Sequence, residues 1–213
     1  MLPGTGGLHG DDRVLGDLMT PPGKGGGFQA FTFEAKGRVD RIITPVTIFP
    51  PFDPKSGANP AGHSAKALWD TGSTRSVIRP EVVAALGLRP TGTSVSRTAG
   101  GVTTNPTHVI NITLPNRTLI AGVLVSESPN LDGFDAIVGM DVITLGDFAV
   151  TNVGGQTLMS YRCPSIQRID YVVELNRMVM ARVRRNGPCP CGKKKADGSP
   201  MKFKNCCALT MRV

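Results

Sequence analysis

The chain has 213 residues, 26 of them Gly and 17 Pro, and a net charge of +8. That length builds one good core plus a small appendage. It has no apolar run near the roughly 20 residues of a membrane span and no basic start followed by an apolar segment such as a secretory signal carries, so the expectation is no membrane and a cytoplasmic location. The charge is unevenly placed: residues 1–162 hold 13 Lys/Arg and 13 Asp/Glu, while residues 163–213 hold 11 Lys/Arg and only Asp170, Glu174 and Asp197. The tail is therefore a separate electrostatic object.

Abundant turn formers and few aromatics point to a mainly β chain of short strands. Residues 1–27, with Pro21-Pro22-Gly23 and Gly25-Gly26-Gly27, read as a flexible arm without chemistry of its own. Phe28 to Glu34 alternates like a strand, Val39 to Phe49 is the next, and Pro50 to Gly62 is a loop. A buried strand then ends at Trp69. Arg79-Pro80-Glu81 opens a short helix, with Pro in its first turn and Glu81 suited to its N-terminal dipole; Gly87 ends it. Thr91 to Leu114 is strand-like on both sides of Ala99-Gly100-Gly101, and Leu119 to Ser126 is another strand. Phe134 to Val142 is apolar around Gly139, and the segments 147–152 and 157–162 close the sheet. Asp170 to Arg185 reads as a helix with mixed apolar and basic faces. The expected organisation is an arm over 1–27, a β domain over 28–165, a linker helix over 166–185 and a cysteine-bearing module over 186–213.

One stretch organises the rest: Ala67-Leu68-Trp69-Asp70-Thr71-Gly72-Ser73-Thr74-Arg75-Ser76-Val77-Ile78. Three apolar residues lead straight into Asp-Thr-Gly, which puts one carboxylate, Asp70, at the mouth of a turn. Gly72 allows positive φ or close backbone approach, and Thr71 and Ser73 can hydrogen-bond within the loop. Alone, the tripeptide is an ordinary turn former. With its frame, and with Ile137-Val138-Gly139 some sixty residues downstream, it resembles the retropepsins, the single-lobed retroviral-type aspartic proteases, and especially their bacterial relatives.

That resemblance covers roughly residues 28 to 165 and implies a single-lobed acid-protease barrel with a short helix. Asp70 would be the catalytic residue, Thr71 would brace the loop, Gly72 would meet substrate backbone and Ser73 would hydrogen-bond the carboxylate. Ile137, Val138 and Gly139 would pass beneath the loop. Ala99, Gly100 and Gly101 would be the tip of a flap closing over a polypeptide substrate. The chain has a single Asp-Thr-Gly, so the resemblance implies a homodimer with one Asp70 from each copy. Retroviral enzymes pair an acidic residue after the loop with an Arg after the downstream Gly. Here those places hold Thr74-Arg75 and Met140-Asp141, an exchange of sign that would pair Arg75 with Asp141. The competing classes are a non-proteolytic scaffold on the same fold, used for dimerisation or peptide binding, and a zinc tail that is the functional head on a dimeric base.

Four of the five cysteines, Cys189, Cys191, Cys206 and Cys207, form a Cys-x-Cys…Cys-Cys pattern. Cysteines this close are poor disulfide partners but can converge on a tetrahedral metal, with zinc preferred in a reducing compartment. Arg185-Asn186-Gly187-Pro188-Cys189-Pro190-Cys191-Gly192-Lys193-Lys194 resembles the SEC-C zinc motif, with Gly187 where that motif has Asp and with an insertion near Ala196 to Met201. Such a basic knuckle implies docking to a protein or a nucleic acid; its one aromatic, Phe203, is thin for base stacking. Cys163 stands apart as a lone thiol. No cofactor is expected for catalysis.

Overall fold

The computed structural model describes residues 13–16, 29–58, 60–98 and 101–210. It divides into two compact units, the first ending at Ile166 and the second beginning at Gln167.

The first unit is built from two sheets. The smaller has the order β1-β2-β11-β10, with β1 Arg13–Gly16, β2 Gln29–Glu34, β10 Asp147–Thr151 and β11 Leu158–Cys163, all antiparallel. β1 corrects the reading of residues 1–27 as an arm throughout, since its four residues pair with β2 from Arg13↔Glu34 to Gly16↔Phe31. The larger sheet has seven strands in the order β3-β4-β9-β5-β8-β7-β6. These are β3 Ile43–Phe49, β4 His63–Trp69, β5 Val77–Ile78, β6 Gly92–Thr98, β7 Gly101–Thr113, β8 Leu119–Glu127 and β9 Ala136–Val138. An additional β3–β7 pairing curls this sheet toward closure. The expected mainly β, single-lobed architecture with a short helix is what this unit shows.

Alternation places the core. In β2, Phe31 and Phe33 are buried; in β4, Ala65, Ala67 and Trp69 are buried while Ser64 and Lys66 face out. That is the period-2 pattern of a strand with one wet face. The two sheets meet through an aromatic cluster. Trp69 stacks on Phe148 with ring centroids 5.7 Å apart and lies 5.0 Å from Tyr161 and 5.7 Å from Phe31. Its indole N–H donates to Thr44 Oγ1 at 2.9 Å, and the Tyr161 hydroxyl donates to the Val142 carbonyl at 3.0 Å. Both polar ends of this cluster are thus satisfied, as burial requires.

α1, Pro80–Leu86, begins with Pro and ends at Gly87, whose φ of 59° is the left-handed conformation that suits Gly. α2, Met140–Ile143, is one turn directly after Gly139. In the second unit, α3, Tyr171–Ala181, is capped by the Asp170 carboxylate, which accepts the Val172 and Val173 N–H groups. It stops four residues short of the expected Arg185, because the chain turns at Arg182 and Val183 with N–H bonds back to Val179 and Met180. A single turn, α4 Cys207–Thr210, follows the last cysteine pair. No helix among the described residues is long and apolar enough to cross a membrane.

Candidate active site and cysteine centre

Asp70 follows β4 directly, so the buried indole of Trp69 fixes the strand end that presents it. The carboxylate is half-buried, and its Oδ1 accepts the Gly72 N–H at 2.8 Å. Gly72 is not in the left-handed region; what it supplies is room, because a Cβ there would sit 3.1 Å from that same Oδ1. Thr71 is exposed at the loop tip. Ser73 supports the loop differently from the expectation: its hydroxyl donates to the Arg75 carbonyl at 2.7 Å, and Gly72 rather than Ser73 holds the carboxylate.

The downstream element does not merely pass beneath this loop. β9 is threaded between the two strands that flank it, parallel to β4 (Leu68↔Ile137, Trp69↔Val138) and antiparallel to β5 (Val77↔Ile137). Val138 is fully buried, and its carbonyl accepts the Asp70 N–H at 3.0 Å. Gly139 is buried against the loop backbone, where a Cβ would lie 2.7 Å from Arg75 C and 2.9 Å from Ser73 O. No side chain fits there. The Met140 N–H donates to Ser73 O at 2.8 Å.

The exchange of sign does not make an ion pair between Arg75 and Asp141. The Asp141 carboxylate instead accepts the Ser76 N–H with both oxygens, at 3.0 and 2.9 Å, and the Ser76 hydroxyl at 2.8 Å. The reason is proximity: Ser76 ends the loop with a buried N–H that no strand partner takes up, and a half-buried carboxylate answers it.

Asp70 lies on a cleft of about 330 Å³ that also touches Asp40, Arg41, Leu68, Trp69 and Asn152. Sequence reasoning missed Asp40 and Arg41, which sit in a plain loop where nothing marks nearness to Asp70. Of the expected flap tip, Gly101 opens β7, while Ala99 and Gly100 lie outside the described residues. The hairpin that carries the tip is present, with β6 and β7 paired from Gly92↔Thr107 to Thr98↔Gly101.

In the second unit the thiol sulfurs of Cys189, Cys191, Cys206 and Cys207 all lie within 4.8 Å of one another. The Cys191 sulfur is 3.4 Å from that of Cys189 and 3.5 Å from that of Cys206. A tetrahedral ion with metal–sulfur bonds of ~2.3 Å spaces its ligands ~3.8 Å apart, so the group fits a four-thiolate metal. The insertion is a small hairpin. Lys195 donates to Ser199 O, Gly198 turns at φ 80°, and Lys194↔Pro200 and Pro188↔Lys202 bridge around it. Gly187 closes a tight turn onto Arg184 O at 2.8 Å, where a Cβ would come to 3.2 Å from that oxygen. Burial opposes charge on Cys189, but N–H and thiol donors from Cys191 and Cys207 outweigh it and lower the thiol to about 6. Cys207 is pushed up to about 12, chiefly because its thiol donates to Cys189. One thiolate ringed by thiol donors is an arrangement a cation takes over by displacing the remaining protons. Cys163 is half-buried, its thiol 3.6 Å from the Leu145 carbonyl.

Residues 58–142 match the family described as aspartyl protease. No curated protein matches the sequence. Among solved structures, the chain is similar to the simian foamy virus (mac) protease in solution, at 18% identity over 47% of this chain and 91% of that one, with a TM-score of 0.32. It is also similar to the crystal structure of a retropepsin-like aspartic protease from Rickettsia conorii, at 12% identity over 59% of this chain and 98% of that one, with a TM-score of 0.34. Over residues 58–142, then, with the Asp-Thr-Gly loop and the threaded Gly139 element, the chain is similar to an aspartyl protease domain, and the same chain carries a cysteine cluster able to hold a metal.

Proposed function

We propose that the protein is a homodimeric aspartic endopeptidase whose catalytic dyad is Asp70 from each copy. The observation that carries this reading is the placement of Asp70: a half-buried carboxylate at the end of a buried strand, held by the Gly72 N–H and open to a cleft. A single chain supplies one such carboxylate, and the chemistry needs two. Two carboxylates facing one another across a dimer axis share one proton, because both cannot be charged at that separation. The charged one takes a proton from water, which attacks the peptide carbonyl. The protonated one polarises that carbonyl and then protonates the leaving amine. Thr71 braces the paired loops, Gly72 faces the substrate backbone, and the β6–β7 hairpin with Ala99, Gly100 and Gly101 at its tip covers the bound peptide.

The same proposal assigns zinc to Cys189, Cys191, Cys206 and Cys207 as a closed structural site of the SEC-C kind. Zinc there organises a basic knuckle that docks a partner, a protein in preference to a nucleic acid. The expected setting is the bacterial cytoplasm.

The test is cleavage of a broad peptide library by the parent chain and by Asp70→Asn. Asn is nearly isosteric, so the variant should fold and fail to cleave. Equal cleavage by both would remove Asp70 from the mechanism. A folded parent that cleaves nothing from acid to neutral pH would favour the scaffold reading.

A further inference from the structure

The Asp70 loop is tied down at three places, all to one short segment. At its start, the Asp70 N–H donates to the Val138 carbonyl; in its middle, Ser73 O accepts the Met140 N–H; at its end, Ser76 bonds Asp141. The third tie differs in kind. It carries a charge, and it is a closed network: the Ser76 hydroxyl gives its proton to Asp141 Oδ1 and accepts the Gly139 N–H at 3.1 Å. Ser76 is buried at 4% exposure. Asp141 Oδ1 also accepts the Val142 N–H at 3.0 Å.

We propose that Asp141, acting through Ser76, is a positioning residue for Asp70; this rests on the proteolytic reading above. A carboxylate is needed, because every group that faces it is a donor: the Ser76 N–H, the Ser76 hydroxyl and the Val142 N–H. An ionised carboxylate accepts from all of them with both oxygens, whereas an amide that keeps its oxygen at the Oδ1 position sets an NH₂ donor where Oδ2 stands, 2.9 Å from the Ser76 N–H. The Ser76 N–H then loses the shorter of its two bonds and faces a second donor at the same place, and the bonds that remain are to a neutral acceptor. The clamp yields at Ser76, and the loop that holds Asp70 against Val138 loses the end opposite Asp70. Bonds to an ionised acceptor are the stronger kind, which suits a tie that must hold a reacting group still. Asp141 touches no substrate in this scheme; it sets where Asp70 stands.

The experiment compares Asp141→Asn with Asp135→Asn on the full chain. Asp135 is a matched control: its carboxylate accepts the Lys66 N–H at 2.8 Å just before β9, at the end of the strand away from the loop. Asp141→Asn should lower kcat by about 10²-fold, the usual consequence of a misplacement near 1 Å, with KM nearly unchanged. Asp135→Asn should leave kcat unchanged. Ser76→Ala should reproduce the loss, and Ser76→Thr, which keeps the hydroxyl, should recover much of it. Amide hydrogen exchange gives a readout that needs no substrate. In Asp141→Asn the Asp70 and Met140 amides should exchange at least about tenfold faster, while amides of β2 and β11 keep their protection. Parental kcat in Asp141→Asn, or unchanged exchange at Asp70 and Met140, would overturn the assignment while leaving the dyad reading intact. A parent chain that cleaves nothing would overturn the dyad reading, and exchange alone would then decide whether Asp141 clamps the loop.

Discussion

Replacing Gly139 by Ala tests the packing under the Asp70 loop with a single methyl group. The backbone at this position, φ −91° and ψ −174°, is open to any residue, so the substitution costs nothing in conformation. The cost is steric. The added Cβ would lie 2.7 Å from Arg75 C, 2.8 Å from Arg75 O and 2.9 Å from Ser73 O, against the ~3.5–4.0 Å at which such atoms pack comfortably. All three are backbone atoms, so no side-chain rotation relieves the contact, and the loop must move by about 1 Å relative to β9. Overpacking of this kind costs about 1–3 kcal/mol. In a protein of this size that is about 2–4 °C in thermal midpoint per kcal/mol. The same displacement carries Asp70 with it, for about a 10²-fold loss in kcat. Thermal unfolding followed by circular dichroism, with peptide cleavage on the same preparation, measures both. Parental values of midpoint and turnover in Gly139→Ala would refute the claim that Gly139 is there to let the loop sit on β9.

Other consequences follow from the rest of the structure. Purified protein should contain one zinc per chain, and Cys206→Ser should lose it; equal metal in both would rule out the four-cysteine site, and chelation should loosen the second unit while the barrel stays folded. Tyr161→Phe removes a buried hydroxyl from the Val142 carbonyl, which keeps the Leu145 N–H as a second partner, so the cost should be near the low end of about 1–3 kcal/mol. Burial pushes the Tyr161 phenol well above the ordinary tyrosine range. A raised folded value means its contribution is fully present below pH ~10 and lost as pH climbs beyond that, so Tyr161→Phe should flatten the alkaline arm of the stability–pH curve, and an unchanged arm would contradict this. Gly100→Val, between β6 and β7 in the sequence, should impair turnover and leave the dimer intact; cleavage equal to the parent's would mean the hairpin does not cover substrate.

What the sequence makes legible is local. The apolar lead into Asp70 gives β4, Pro80 and Gly87 bracket α1, and the Cys-x-Cys…Cys-Cys spacing marks the cluster of four cysteines, because each signal lies close in sequence to its consequence. What it hides is pairing at a distance. Nothing in Ala136-Ile137-Val138 says that this strand inserts between β4 and β5 rather than lying under the loop, since periodicity gives a strand's faces and not its neighbours. Nor does the sequence say that Asp141 serves Ser76. Charge logic points Asp141 to Arg75, but the partner it finds is a neutral N–H and hydroxyl left over where the loop re-enters the sheet. The pairing of β1 with β2 escapes notice for a related reason: a four-residue strand among Gly and Pro carries too little pattern to stand out. Arg41 and Asp40 reach the cleft only because the chain bends between Ala35 and β3, where a continuous strand from Val39 is the natural expectation.

The central claim is that one active site needs Asp70 from two chains, and mixing measures it most directly. Parent protein is held at fixed, low concentration while Asp70→Asn protein is added in increasing excess, with sedimentation confirming that subunits exchange. The account predicts that activity falls toward zero as parent chains are drawn into mixed dimers with a single Asp70 carboxylate. Activity that stays constant through a large excess of the variant, with mixed dimers present, would show that one Asp70 suffices and would contradict the account.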